Sequence, residues 1–135
     1  MSHDALQPYL DAIGSGDAAR LSAVFADDVQ LKSPLFAAPV AGKQAATKVL
    51  GVLFGAADSV ALGDVFVGAD GYAIALSITV GDISLEGLEY VQLDADGLVQ
   101  VLMVSLRPLD GLVALQNRLA PLIGQAPLVL SAQPS

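Results

Sequence analysis

The two glutamates are the residues of this sequence that first suggest chemistry. Both lie in the segment Leu85–Tyr90 of the 135-residue chain, at positions 86 and 89. Residues three apart on a β-strand face opposite sides of the sheet, so Glu86 and Glu89 should have different surroundings. A carboxyl group on an apolar face must be hydrogen-bonded, be protonated or line a cavity. The acid on the apolar side is therefore a candidate donor to a ligand oxygen.

A hairpin centred on the turn Asp94–Gly97 decides which glutamate that is. We expect this turn to pair Leu93 with Leu98 and Glu89 with Leu102. One face of the hairpin then contains Leu85, Gly87, Glu89, Leu102, Val104 and Leu106. The other contains Glu86, Leu88, Tyr90, Val101, Met103, Ser105 and Arg107. Glu89 is thus predicted to lie on the apolar face, and a register slip by one residue would exchange the two faces.

The outer face of this hairpin has ordinary explanations. Glu86 should form a solvated or interface ion pair with Arg107, one diagonal away. The apolar residues beside that pair would form an exposed patch on a monomer, which a homodimer would bury. We therefore expect a homodimer through the outer sheet face.

The remaining composition disfavours several classes of function. The chain has no cysteine, and its one histidine is His3, so thiolate chemistry is excluded and zinc or Ser-His-Asp sites are not expected. We expect no metal and no cofactor.

The neighbouring Asp27 and Asp28 are interpreted as capping and turn residues. A net charge of −8 without a basic patch argues against nucleic acid, and the apolar runs are too short to span a membrane. We expect a cytoplasmic protein.

The order of the predicted elements indicates an α+β fold. Apolar residues recur at helical spacing through most of the first half of the chain. Apolar and polar residues alternate, as in β-strands, through most of residues 60–107. Helices followed by antiparallel strands predict one curved sheet with helices on its concave side. A last helix, capped by Asp110, carries leucines at helical spacing. We assign residues 1–123 to one domain and 124–135 to a C-terminal arm.

The chain resembles the nuclear transport factor 2-like superfamily, near its SnoaL-like and ketosteroid isomerase branches. The resemblance covers about residues 5–107 and rests on the order and spacing of several short segments. These are Tyr9–Asp17 (YLDAIGSGD), Val24–Val29 (VFADDV), Ser33-Pro34, Gly42 before the third helix, and the hairpin turn Asp94–Gly97. It implies a cone-shaped fold in which the sheet wraps around an apolar pocket.

The resemblance also implies site residues. Ketosteroid isomerase uses a tyrosine on the first helix, a carboxylate base before a proline and a protonated acid on a late strand. Those positions fall on Tyr9, Ser33 and Glu89 of this chain, and serine cannot take a proton from carbon at neutral pH. We expect one cavity lined by Tyr9, Ser33, Phe36, Phe54, Leu85, Gly87, Glu89, Leu102, Val104 and Leu106. Gly87 should leave room in it for a ligand.

Three functions remain open from the sequence. The first is an isomerase or polyketide cyclase-like enzyme acting on a small apolar carbonyl compound, with Tyr9 and Glu89 as hydrogen-bond donors. The second is a module that binds a small apolar molecule without chemistry. The third is a structural dimer with a filled core. Fold alone does not decide among them.

Overall fold

The computed structural model describes residues 2–124 and contains four α-helices and a six-stranded sheet. The predicted C-terminal arm lies outside the described residues, except for its first residue, Gly124. Short 3₁₀ turns precede the first helix and follow the last, at Asp4–Leu6 and Ala120–Leu122. The helices are α1 (Gln7–Ser15), α2 (Ala18–Val24), α3 (Lys43–Ala56) and α4 (Leu109–Leu119).

Local sequence signals account for most of the helix ends. Helix α1 ends at Gly16, whose φ of 68° is in the left-handed region that favours glycine. Asp17 caps α2 by accepting a hydrogen bond from the N–H of Ala19 at 2.9 Å. Asp110 does not cap α4 as expected. Pro108 occupies the cap position, and the Asp110 carboxylate instead accepts from the N–H of Gly111.

The sheet is mixed and has the order β2-β1-β6-β5-β4-β3. Its strands are β1 (Phe25–Lys32), β2 (Val40–Ala41), β3 (Ser59–Val67), β4 (Tyr72–Val80), β5 (Ile83–Leu93) and β6 (Val99–Arg107). The α+β class and the curved sheet are confirmed. The expected antiparallel pairing holds from β3 to β6, but β1 lies parallel to β6 because the intervening hairpins return the chain to the first strand in that direction.

The alternation of apolar and polar residues in Val29–Ser33 predicts the first strand there, but β1 begins earlier, at Phe25. Leu21, Val24 and Phe25 fit a helical spacing, but the chain becomes extended at Phe25. Asp27 and Asp28 therefore lie within an exposed stretch of β1, and their interpretation as capping and turn residues is wrong. Asp27 forms an ion pair with Lys43 at 3.2 Å.

The β5–β6 hairpin has the predicted faces but a different register. Glu89 pairs with Val104 and not with Leu102, and Glu86 lies directly opposite Arg107 and not one diagonal away. The pairing changes by one residue between Gln92 and Leu93, next to the turn, where β6 contains an extra residue. The resulting difference from the predicted pairing is two residues, and because side chains alternate with a period of two, each keeps its face.

The core consists of two adjoining clusters. The first lies between the sheet and helices α1–α3 and includes Tyr9, Phe25 and Leu102. The second lies under α4 and includes Leu85 and Leu115. Helix α4 is further held by Arg118, whose guanidinium donates to the carbonyl oxygen of Val80 at 3.0 Å. Between residues 2 and 124, no helix is both long and apolar enough to cross a membrane.

Candidate functional site

A hydrogen bond between Tyr9 and Glu89 joins the first helix to the centre of the sheet. The Tyr9 hydroxyl lies 3.0 Å from Glu89 Oε1, and the two side chains are 1% and 3% exposed. Pro8 lies in the first turn of α1, where its missing N–H removes no helical hydrogen bond. Ala12 and Ile13, which are buried on the same helix, fix the face that directs Tyr9 inward.

Apolar neighbours surround Glu89 on the sheet. Glu89 pairs with Ile74 on β4 and with Val104 on β6, and paired residues share a face. The prediction that Glu89 lies on the apolar face of the hairpin is thus confirmed. The three ion pairs between described residues are Lys43–Asp27, Arg107–Glu86 and Arg118–Asp82, and none involves Glu89.

Burial controls the ionisation of this pair. It raises the pKa of Glu89 from its ordinary value of 4.5 to about 7, and the Tyr9 hydrogen bond, which favours the carboxylate, opposes part of that rise. Burial also raises the pKa of Tyr9 above its ordinary value of 10.0, and the charge and hydrogen bond of Glu89 add to the rise. Near neutral pH, Glu89 can thus be a neutral acid beside a neutral phenol, so both groups can donate hydrogen bonds to an oxygen.

An apolar cavity of about 40 Å³ lies beside the pair without reaching it. Val104 lines this cavity and is also the cross-strand partner of Glu89. The remaining wall comes from the end of β1 and its turn, from α3, β6 and α4, and from the segment after α4. Its residues are Leu31, Ser33, Pro34, Leu35, Val49, Leu50, Leu53, Leu106, Leu115, Leu119 and Ile123. Such a volume holds a few water molecules at most, whereas ligand pockets measure roughly 300–1,000 Å³.

Ser33 lines the cavity, and its hydroxyl takes part in a turn. Its Oγ accepts a hydrogen bond from the N–H of Leu35 at 3.1 Å. The same turn brings the N–H of Phe36 to the Ser33 carbonyl oxygen at 3.5 Å. This arrangement is typical of serine before a helix or loop reversal and supplies no carboxylate base.

The other predicted ligand-binding residues do not all line one cavity. Val104 and Leu106 line the apolar cavity with Ser33. Leu85 and Leu102 are buried in the two core clusters, and Phe54 packs against the first of them. Phe36 lines an open groove, whose walls also include Ser33, Val104 and Leu106. Tyr9 and Glu89 meet in the closed core.

The reason proposed for Gly87 is wrong. A Cβ atom at this position would not enter a cavity, because it would overlap the backbone carbonyl of Ser105 on β6. Glycine is needed here for the close approach of β5 and β6, two residues from Glu89.

Helices α3 and α4 supply cavity residues that were not predicted as part of the site. Leu115 and Leu119 of α4 close the cavity on one side, and Leu50 of α3 closes it on another. The helical spacing of the leucines in α4 predicts a buried face, but does not show where that face packs. Within residues 2–124, no group of three or more histidine, cysteine, aspartate or glutamate side chains could hold a metal ion.

Comparison with known proteins shows similarity at the level of structure. No protein-family model matches the sequence, and no curated protein matches it. A protein with a cystatin-like fold from Silicibacter pomeroyi is 21% identical, with a TM-score of 0.81 over 88% of this chain and 84% of that one. A steroid delta-isomerase from Pseudomonas aeruginosa is 25% identical, with a TM-score of 0.78 over 89% and 92% of the two chains.

A third similar structure, from Burkholderia xenovorans, is described as an NTF-2 like protein of unknown function. It is 14% identical, with a TM-score of 0.66 over 76% of this chain and 80% of that one. The order of helices and strands, the curved sheet and the helices packed on its apolar face agree with these similarities. The chain thus has the fold seen in nuclear transport factor 2-like proteins.

Proposed function

We propose that the protein binds a small, mostly apolar molecule and holds a carbonyl or hydroxyl oxygen of that molecule with Tyr9 and protonated Glu89. The observation that carries this proposal is the buried hydrogen bond between these two side chains. A carboxyl group in an apolar core costs stability, and such groups are concentrated at functional sites. The apolar cavity begins at Val104, the neighbour of Glu89.

Binding requires the cavity to enlarge, and helix α4 is the wall that can move. Leu115 and Leu119 close the cavity from α4, the last helix among the described residues. Polar contacts at Arg118 hold the end of this helix: the hydrogen bond to Val80 and an ion pair with Asp82 at 3.9 Å. An outward shift of α4 would enlarge the cavity past Val104, in the direction of Glu89. A ligand oxygen could then approach Tyr9 and Glu89.

A second candidate function is an isomerase or cyclase, favoured by the similarity to the steroid delta-isomerase. Tyr9 and Glu89 would then stabilise a developing oxyanion by hydrogen bonds. The usual base position is Ser33, whose hydroxyl cannot take a proton from carbon at neutral pH. The reaction would need water or the substrate as base, or would be a cyclisation that needs none. Binding without catalysis needs no such addition, which is why we place it first.

Paired ligands that differ in one oxygen test the binding proposal. We expect 1-tetralone to bind more tightly than tetralin, which has the same two rings without the carbonyl. Tyr9→Phe should reduce that preference about five- to tenfold, the value of one hydrogen bond, while Tyr72→Phe leaves it unchanged. Leu115→Ala should cost about 2–5 kcal/mol of stability and strengthen the binding of both compounds.

The readouts are titration calorimetry and the ¹³C shift of tetralone labelled at its carbonyl. A hydrogen bond from the pair moves that signal downfield in the wild type and less in Tyr9→Phe. Equal binding of tetralone and tetralin, with an unmoved carbonyl signal, would show that the pair does not contact the ligand. A turnover screen with enones and polyketide mimics, run on the same proteins, tests the second candidate.

We also propose that the protein is a homodimer through the outer sheet face. Leu88 and Met103 are 46% and 40% exposed on neighbouring strands, with Tyr90 between them and the exposed Glu86–Arg107 ion pair at the side. Burying such apolar side chains against a second copy is favourable. Light scattering should give about twice the chain mass. Leu88→Glu should give monomers and Ala45→Glu on α3 should not; a wild-type monomer at micromolar concentration refutes this interface.

A further inference from the structure

The edge of β6 becomes uncovered where β1 ends. The last pair of residues between these strands is Lys32 and Met103, and β6 continues to Arg107. Within residues 2–124 no other strand pairs with this part of the β6 edge. The chain turns away at Ser33 and returns to the sheet at Val40. The result is a groove of about 540 Å³ between the 33–39 loop and the end of β6.

This groove and the apolar cavity share part of their walls. Ser33, Pro34, Val104 and Leu106 line both spaces. The two spaces therefore adjoin at these four residues. Its other lining residues are mostly apolar: Phe36, Ala37, Ala38, Pro39 and Met103, with Ser105 as a polar member.

One charged residue completes the groove. Lys32 is the only charged residue among the described residues that line it. The three ion pairs between described side chains use Lys43, Arg107 and Arg118, so none of them involves Lys32. In a protein with a net charge of −8, an exposed cation beside an apolar groove without a facing acid favours an anionic group on a mainly apolar molecule.

We propose that this groove is the entrance and outer half of the ligand site, and that it takes a small amphipathic carboxylate. The carboxylate pairs with Lys32 Nζ, and the apolar part extends past Val104 and Leu106 towards the cavity. The inference rests on the proposed function for the inner cavity. Recognition of the carboxylate depends on the groove alone and not on Tyr9 or Glu89.

Octanoate and 1-octanol test the charge recognition, because they differ only in the head group. Wild-type protein should bind octanoate more tightly at low ionic strength, and the preference should shrink with added salt. Lys32→Gln should weaken octanoate binding about three- to fivefold, the value of an exposed ion pair, and leave octanol binding unchanged. Lys48→Gln, an exposed lysine of α3, is the matched control and should change neither.

A steric variant tests the position of the entrance independently. Ala37→Trp fills the groove from its exposed loop and should weaken both octanoate and octanol, whereas Ala45→Trp on the exposed side of α3 should weaken neither. Octanoate binding that is insensitive to both Lys32→Gln and Ala37→Trp would overturn the inference. If tetralone still binds with its dependence on Tyr9, only the entrance is refuted; if tetralone also fails to bind, the proposed function is refuted with it.

Discussion

Gly87→Ala should cost at least about 3 kcal/mol of stability or prevent folding, the largest effect that we expect from a single methyl group here. The new Cβ would overlap the carbonyl oxygen of Ser105 and lie 2.8 Å from its carbonyl carbon. Both atoms belong to the backbone of β6, so no side-chain rotation relieves the overlap. Separation of the strands would break the pairing of Leu88 with Ser105 and of Glu89 with Val104.

Chemical denaturation of the variant measures this cost, with Gly55→Ala as its control. A Cβ at Gly55 meets no atom within 4 Å, and the residue lies in α3, where alanine is favoured by about 0.5–1 kcal/mol. Gly55→Ala should therefore be neutral or stabilising. Wild-type stability in Gly87→Ala would mean that β5 and β6 are farther apart than described, and that the position of Glu89 on β5 must be revised.

Glu89→Gln should stabilise the protein above neutral pH and have little effect in mild acid. The folded protein keeps a proton on Glu89 between pH 4.5 and about 7, where the unfolded chain has lost it. The free energy of unfolding therefore falls as pH rises through that interval, by about 3 kcal/mol in all. Glutamine cannot ionise, and its amide oxygen can still accept from Tyr9. The variant should gain about 3 kcal/mol at pH 8 and about 1 kcal/mol or less at pH 5.

Glu86→Gln, three residues away on the same strand, is the matched control. Its carboxylate forms an exposed ion pair with Arg107, and such pairs contribute about 0–1 kcal/mol. The difference in free energy of unfolding between the wild type and each variant is free of the pH dependence that the other carboxylates contribute. A difference between wild type and Glu89→Gln that does not vary between pH 5 and 8 would show that Glu89 ionises as an exposed acid does.

The strands could be predicted where apolar and polar residues alternate in a segment that has a clear turn at each end. The sequence pattern predicts strands at Tyr72–Val80 and Ile83–Leu93, and β4 and β5 have these bounds. Gly81-Asp82 and the residues before Tyr72 are strong turn signals. The start of β1 could not be predicted, since Leu21, Val24 and Phe25 fit a helical face equally well. The parallel pairing of β1 with β6 depends on the direction in which the later hairpins bring β6 alongside β1. Local sequence patterns carry no information about that direction.

The site was predictable in its polar residues and less so in its shape. The alternation of apolar and polar residues in the β5–β6 hairpin is sufficient to predict that Glu89 lies on the buried face. The observed register differs from the predicted one by two residues, so Glu89 stays on that face. The cavity depends on the packing of α4, through Leu115 and Leu119, and on a turn that engages the Ser33 hydroxyl. Those are tertiary contacts, and helical spacing shows only which side of a helix is apolar. Gly87 reads equally as space for a ligand or as a close strand approach, and coordinates are needed to distinguish them.

The most direct test of a buried acid paired with Tyr9 is a ¹³C NMR titration of the glutamate side-chain carboxyls. Because the chain has only two glutamates, glutamate-specific labelling gives two signals, and the one absent from Glu89→Gln belongs to Glu89. We expect a midpoint for Glu89 at about pH 7. In Tyr9→Phe the midpoint should move higher, because the hydrogen bond that favours the carboxylate is lost. A Glu89 midpoint near the ordinary 4.5, unchanged in Tyr9→Phe, would show that Glu89 is not a buried acid paired with Tyr9.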